Sequence, residues 1–287
     1  MQSPYESGAS TDDALLHGEL NRTFRVHLPP SYDPETPLPL VVMLHGGGGS
    51  GQQLEDDSSG MSAVADNEGF IAVYPDGTGF IKTWNGGGCC GSAVTNDIDD
   101  VGFIDALLEE LEATLCVDRR RVYASGMSNG GIMTHRLACE LPDRFAAFAP
   151  VAAAEMASSC TPSAARPLMH VHGTADGHVP PAGGLGCGLA GVPFPPLSET
   201  METRRLLNGC EATTTLAFTA GDGTCSAYQG CDADVMLCLI DGGGHNWPGG
   251  EPPADLADCP EDGHQSATFN ASQEIWGFFA EHAQPAG

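Results

Sequence analysis

Ser128 stands in Gly126-Met127-Ser128-Asn129-Gly130, between the apolar run Arg121-Val122-Tyr123-Ala124-Ser125 and the segment Gly131-Ile132-Met133-Thr134-His135-Arg136-Leu137-Ala138-Cys139. This pattern predicts a strand, a sharp turn and a helix, with the serine hydroxyl exposed at the turn beside the positive end of the helix. The flanking glycines let strand and helix approach without a clash. A serine hydroxyl is too weak an acid to attack an ester unaided. An imidazole must take its proton, and a carboxylate must orient that imidazole. Asp176, in His172-Gly173-Thr174-Ala175-Asp176-Gly177-His178, and His245, in Asp241-Gly242-Gly243-Gly244-His245-Asn246-Trp247, are the candidates. The chemistry they would support is acyl transfer through a covalent serine ester. Its oxyanion needs donors, which we assign to the backbone N–H groups of Asn129 and of Gly47 in the turn His45-Gly46-Gly47-Gly48-Gly49.

Other residues compete for roles. His170, His172 and His178 lie near Asp176, but a histidine so close to the acid in sequence is more often a loop or core group than the base. The same run has the residue types of a metal site without the spacing, so neither metal nor cofactor is expected. Asp97, Asp99, Asp100 and Asp105 are read as helix capping and solvation. Trp247, just after His245, and Trp84, in a Gly/Cys-rich loop, are expected to wall an apolar slot together with the Pro/Gly-rich stretch 179–200. Such a slot would favour a planar acyl group.

The elements that must position these groups are legible as alternating strands and helices. Phe24 to Leu28 alternates as a strand, and Leu38 to Leu44 is a continuous apolar run suited to a buried parallel strand. Gly69 to Tyr74, Phe145 to Val151, Pro167 to His172 and Val235 to Ile240 read as further strands. Helices are expected after Asp99 or Asp100, over Glu199 to Asn208 and over Ala271 to Ala280. The fold class is therefore α/β, a mostly parallel central sheet with helices on both faces, and the candidate groups fall at the carboxyl ends of its strands. Their chain order, serine, acid, histidine, is that of the α/β-hydrolase fold. Residues 1–20 are expected to form a loose lead-in ending in a short edge strand, and residues 21–287 a single catalytic domain.

Charge excludes several functions. With 38 acidic against 11 basic side chains and a net charge of −27, the surface repels nucleic acid and anionic membranes. The expected partner is an ester substrate. Eleven cysteines, many in Gly-rich loops, point to an oxidising compartment, so a secreted or periplasmic protein whose leader has been removed is expected. The odd count leaves a thiol over. Cys210 and Cys231 flank a strand-rich segment and are expected to be bridged, with a second bridge from Cys89 or Cys90 to Cys139.

These pieces together resemble the secreted esterases of the polyhydroxybutyrate-depolymerase-like family, related to feruloyl and acetylxylan esterases. The resemblance rests on Leu44-His45-Gly46, Tyr74-Pro75-Asp76-Gly77, Trp84-Asn85, Cys89-Cys90-Gly91, Gly126-Met127-Ser128-Asn129-Gly130-Gly131, His172-Gly173-Thr174-Ala175-Asp176 and Gly243-Gly244-His245-Asn246-Trp247-Pro248-Gly249. It implies an α/β-hydrolase with a triad on Ser128, Asp176 and His245. It also implies a serine carboxylesterase acting on feruloyl or acetyl esters of plant polysaccharide, or alternatively on polyhydroxyalkanoate or aromatic polyester. A non-catalytic binding module on the same fold is the remote rival; it would have no need of serine, acid, histidine and oxyanion turn together.

Overall fold

The structure, a computed structural model, describes residues 3–157, 159–188, 190–251, 259 and 262–285. Its strands are β1 Ala9–His17, β2 Leu20–Leu28, β3 Leu38–Leu44, β4 Ile71–Pro75, β5 Val117–Met127 and β6 Ala147–Val151. They continue with β7 Leu168–Gly173, β8 Gly184–Leu185, β9 Pro193–Phe194, β10 Thr214–Ala220, β11 Gly223–Tyr228 and β12 Val235–Ile240. All but the small β8–β9 hairpin join one sheet in the order β1-β2-β4-β3-β5-β6-β7-β12-β11-β10. Pairing is parallel from β4 through β12 and antiparallel at both flanks. This is the α/β-hydrolase arrangement.

The unbroken apolar run of β3 follows from burial on both sides. Val41 and Met43 enter one core, with Met61 and Val64 of helix Met61–Glu68 and Ile275 and Phe279 of helix Ala271–Ala280. Leu40, Val42 and Leu44 enter the other, with Phe103, Ile104 and Leu107 of helix Asp100–Thr114 and Met133 and Leu137 of helix Asn129–Glu140. A strand covered on both faces has no position left for a polar side chain. No helix among the described residues is long and apolar enough to cross a membrane.

Two expectations need correction. The lead-in does end in an edge strand, but a longer one than expected: β1 pairs with β2 from Ala9↔Leu28 to His17↔Leu20. An edge strand has solvent on one side, so its Ser, Thr and Asp content hides its full extent from a reading based on hydrophobic alternation. The expected link from Cys89 or Cys90 to Cys139 is also absent. Cys89 bonds Cys90, and Cys139, near the end of helix Asn129–Glu140, bonds Cys160 with Cα atoms 4.9 Å apart. Cys210 and Cys231 are bonded, Cα atoms 3.8 Å apart, and Cys225–Cys238 joins register partners on β11 and β12. Cys187–Cys259 makes the fifth bridge, and Cys116 is the free thiol.

Asp99, Asp100 and Asp105 have structural partners. Asp99 caps helix Asp100–Thr114 by accepting the Gly102 N–H at 2.9 Å. Asp100 is buried against Arg22 at 2.7 Å, and Asp105 pairs with Arg144 at 2.8 Å. The turn after β3, Ser128 after β5, Asp176 after β7 and His245 after β12 then stand together at the carboxyl ends of parallel strands.

Candidate active site

The serine turn is built by close backbone approach. A Cβ at Gly126 would lie 2.6 Å from the Gly130 carbonyl oxygen, and one at Gly130 would lie 2.6 Å from that of His45 and closer still to that of Leu44. Only glycine fits at either position. Ser128 itself has φ +56° and ψ −122°, a left-handed conformation that costs a non-glycine residue energy and persists because its surroundings hold it. Its N–H donates to Val151 at 2.9 Å, and its carbonyl accepts the Ile132 N–H at 2.8 Å. The side chain therefore projects from the first turn of helix Asn129–Glu140.

His45 shapes the facing turn. Its Nε2 accepts the Gly77 N–H at 2.9 Å, so its proton sits on Nδ1 and donates to the Gly46 carbonyl at 2.7 Å. Burial pushes this imidazole down to about 4, so it stays neutral. Drawing the Gly46 carbonyl towards His45 turns the Gly47 N–H of the same peptide the opposite way. A Cβ at Gly46 would sit 3.4 Å from the Ser128 Cβ, and one at Gly47 3.8 Å from the Asn129 Cβ. Gly46 and Gly47 thus pack against Ser128 and Asn129.

His245 Nε2 lies 2.8 Å from Ser128 Oγ, and its Nδ1 lies 2.9 Å from Asp176 Oδ2. Asp176 Oδ1 accepts the N–H groups of His178 and Val179 at 2.9 and 2.8 Å. Asp176 and His245 are both buried, whereas Ser128 is partly open. Burial pushes the His245 imidazole down, but the charge and hydrogen bond of Asp176, and the charge of Asp262, outweigh it and leave it above its ordinary value. An imidazole raised in this way would accept a proton from Ser128 more readily. None of His170, His172 and His178 bonds to Ser128; the His178 ring stacks on His245, centroids 4.7 Å apart.

Neither tryptophan lines an open slot, which corrects that expectation. Trp84 is fully buried, its indole N–H donates to the His45 carbonyl at 3.0 Å, and its backbone N–H and C=O are both taken by the Asn129 side chain. It is a clamp beneath the oxyanion turn. Trp247 is 2% exposed and donates to Ser272 at 3.0 Å, fastening the His245 loop to helix Ala271–Ala280. An indole N–H needs a partner once buried, and in each case that partner lies behind the site.

Sequence reasoning missed two features. Asp262 accepts the Gly177 N–H at 2.8 Å and the His245 N–H at 2.9 and 3.0 Å, so one carboxylate ties the acid loop to the histidine loop. The run Gly79-Phe80-Ile81 also escaped notice. Phe80 is fully exposed and Ile81 half so, on a turn held to the oxyanion loop by the Gly48 N–H donating to Lys82 at 2.8 Å. An apolar pair inside an otherwise polar turn was the available signal.

Comparison with known proteins agrees with this architecture. Residues 22–177 match the family described as Esterase PHB depolymerase. The chain is 34% identical to feruloyl esterase B of Piromyces equi over 77% of its own length, and spans 42% of that longer protein. It is 30% identical to a probable feruloyl esterase C of Aspergillus clavatus, covering 76% of this chain and 81% of the relative. Among solved structures, the acetyl xylan esterase from Aspergillus awamori superposes with a TM-score of 0.62 at 16% identity, covering 82% of this chain and 94% of the other, which speaks to the fold. Because the matched stretch runs over more than half the chain, from β2 to the loop of Asp176, the chain belongs to the Esterase PHB depolymerase family of carboxylic ester hydrolases.

Proposed function

We propose that this chain is a secreted serine esterase, a single α/β-hydrolase domain that cleaves feruloyl or acetyl esters of plant polysaccharide through an acyl-enzyme. The observation that carries this reading is the line from Ser128 through His245 to Asp176, at 2.8 and 2.9 Å, beside the Gly46–Gly47 turn. In it Ser128 Oγ attacks the ester carbonyl while His245 Nε2 takes its proton. Asp176 holds the Nδ1 proton and stabilises the imidazolium. The N–H groups of Asn129 and Gly47 receive the oxyanion. His245 then returns the proton to the leaving alcohol, and a water activated by the same imidazole releases the acid. Feruloyl esterases among the relatives support the substrate class, and five disulfides support an oxidising compartment.

A second reading, hydrolysis of polyhydroxyalkanoate or aromatic polyester, is favoured by the family described above and by the outward Phe80 and Ile81, which suit an apolar polymer surface. One experiment separates the two. Wild type and Ser128→Ala are assayed on methyl ferulate, acetylated xylan, polyhydroxybutyrate and a soluble aromatic polyester. Ser128→Ala is expected to fold normally and keep only the residual of about 10³-fold over water that the oxyanion site supplies. The wild type is expected to have its highest kcat/KM on methyl ferulate or acetylated xylan. A Ser128→Ala variant with more than a few per cent of wild-type rate removes the mechanism, and faster turnover of either polyester replaces the substrate class.

A further inference from the structure

Asp176 gives one oxygen to backbone donors and the other to His245, but that second oxygen has another neighbour, His172 Nε2 at 3.5 Å. His172 ends a row of buried imidazoles that the mechanism above does not use. Its Nδ1 lies 3.1 Å from His170 Nε2, and His170 Nδ1 lies 3.2 Å from His135 Nε2. His135 Nδ1 in turn lies 3.1 Å from Arg204 Nε, and Arg204 is ion-paired with Glu155. All three rings are at most 1% exposed. His170 and His172 come from β7, His135 from helix Asn129–Glu140 and Arg204 from helix Leu197–Leu207.

The two ends of the row fix its protons. A guanidinium can only donate, so His135 Nδ1 carries a lone pair and its proton sits on Nε2. His170 must then accept at Nδ1 and donate from Nε2 to His172. At the other end, His172 Nε2 is 2.9 Å from the Val179 carbonyl, which can only accept. Both ends therefore demand the same polarity, and each ring is the neutral Nε2–H tautomer with its N–H directed away from Arg204. Protonating a ring would set two donors face to face in the core, where unpaired polar groups are costly. Burial holds all three imidazoles low. Arg204 and the neighbouring rings add to this at His135 and His170, while Asp176 opposes it at His172.

We propose that His172 is a positioning residue for Asp176, kept by the row through His170 and His135 to Arg204 in the one tautomer that turns an N–H, not a lone pair, towards the carboxylate. The opposite tautomer would set a lone pair against both the Val179 carbonyl and Asp176, pushing the carboxylate off the line to His245. The proposal rests on the assignment of Ser128, His245 and Asp176 above. The charged and titratable groups around the junction are few. His172 faces Asp176, His170 and the His245 charge, His135 faces Arg204 and, at 3.7 Å, Glu155, and His245 faces Asp176, Asp262, the His178 ring and Ser128.

His172→Phe keeps a ring and removes the donor. On p-nitrophenyl acetate its kcat is expected to fall about 10–100-fold with KM changed by less than about twofold, the pattern of a misplaced catalytic group. The acid limb of its kcat/KM profile is expected to move to lower pH, because a carboxylate turned away raises His245 less. His170→Leu should move both in the same direction by less. A folded His172→Phe with lowered Tm but wild-type kcat and acid limb shows a merely structural ring and overturns the proposal. The wild type gives a test that needs no variant. Spectra of 15N-histidine-labelled protein should show three Nε2–H imidazoles that do not titrate between about pH 5 and 9. An Nδ1–H form, or titration in that range, at any of the three overturns the row. Failure here leaves Ser128→Ala inactive, whereas an active Ser128→Ala removes the triad itself.

Discussion

The two halves of the site differ in what is added to their backbone packing. Around Ser128 the geometry comes from backbone packed against backbone, at Gly126, Gly130 and Gly131, and from neutral hydrogen bonds among His45, Trp84 and Asn129. Around Asp176 and His245 similar packing, at Gly173 against the Gly243 and Gly244 carbonyls, is supplemented by charge. Asp262 bridges the two loops, His178 stacks over the base, and the Cys187–Cys259 bridge ties the acid loop to the segment bearing Asp262. His45 is the titratable group among these hydrogen bonds, and because burial holds it at about 4 the nucleophile half should be indifferent to pH above that value. The acid half should respond to pH and salt. A triad built this way can lose its base orientation while its nucleophile and oxyanion donors stay in place.

The largest effect should come from disturbing the nucleophile half. In Gly130→Ala the new Cβ would enter the space of the Leu44 and His45 carbonyls, and backbone cannot yield as a flexible side chain can. Forced overpacking of this kind costs about 3 kcal/mol, at the upper end of the usual range. The lower urea midpoint should come with near-complete loss of esterase activity, because β3, the oxyanion turn and the serine turn must all shift together. A variant with unchanged midpoint and rate would mean that the serine turn is looser than its contacts imply.

The same contrast explains what the sequence disclosed. The serine turn is legible because its strand, glycines and helix are contiguous, and Asp176 and His245 because each follows an apolar strand run. Asp262 gave no such signal. It is one acid among 38, and its role depends on Gly177 and His245, which are distant in the chain. His170 and His172 sit two apart on one strand, so their shared face is readable, but the third ring and Arg204 arrive from two helices. The tryptophans misled for a related reason. A ring beside the base reads as a substrate wall until Ser272, far along the chain, is seen to hold its indole N–H. The length of β1, though not its presence at the edge, was hidden by its polar composition.

Asp262→Asn should sharpen the comparison with a smaller effect. Burial pushes Asp262 up, but the His178 ring at 3.8 Å and the N–H groups of Gly177 and His245 overcome it and leave it at about 2. A carboxyl depressed in the folded state contributes stability that is complete above its unfolded value near 4 and is lost as pH falls towards 2. The wild-type urea midpoint should therefore drop between about pH 4 and 2, and Asp262→Asn should flatten that drop. Asp262 also helps to raise His245, so the acid limb of kcat/KM should move down in the variant. Its kcat should fall about threefold as the two loops lose their shared anchor. An unchanged limb and unchanged acid sensitivity would return Asp262 to the solvated surface.

The smallest expected effect lies at the rim. Thr78 and Thr83 pair across the turn that carries Phe80 and Ile81, and Lys82 secures it to Asp76 at 2.8 Å. Within it, Ile81 lies 3.7 Å from where a Gly48 Cβ would stand, so the apolar tip adjoins the oxyanion turn. A substrate whose aromatic acyl group or polymer chain extends past the ester could cover part of the Phe80 ring. Covering about 15 Å² of it contributes about 0.4 kcal/mol, or about twofold in kcat/KM. Phe80→Ala should lose that factor on a ferulate ester attached to an oligosaccharide and lose nothing on p-nitrophenyl acetate, which is too short to reach the tip. The ring touches neither triad half, so stability and the acid limb should not change. An equal loss on both esters would instead place Phe80 in support of the oxyanion turn, and so within the nucleophile half of the site.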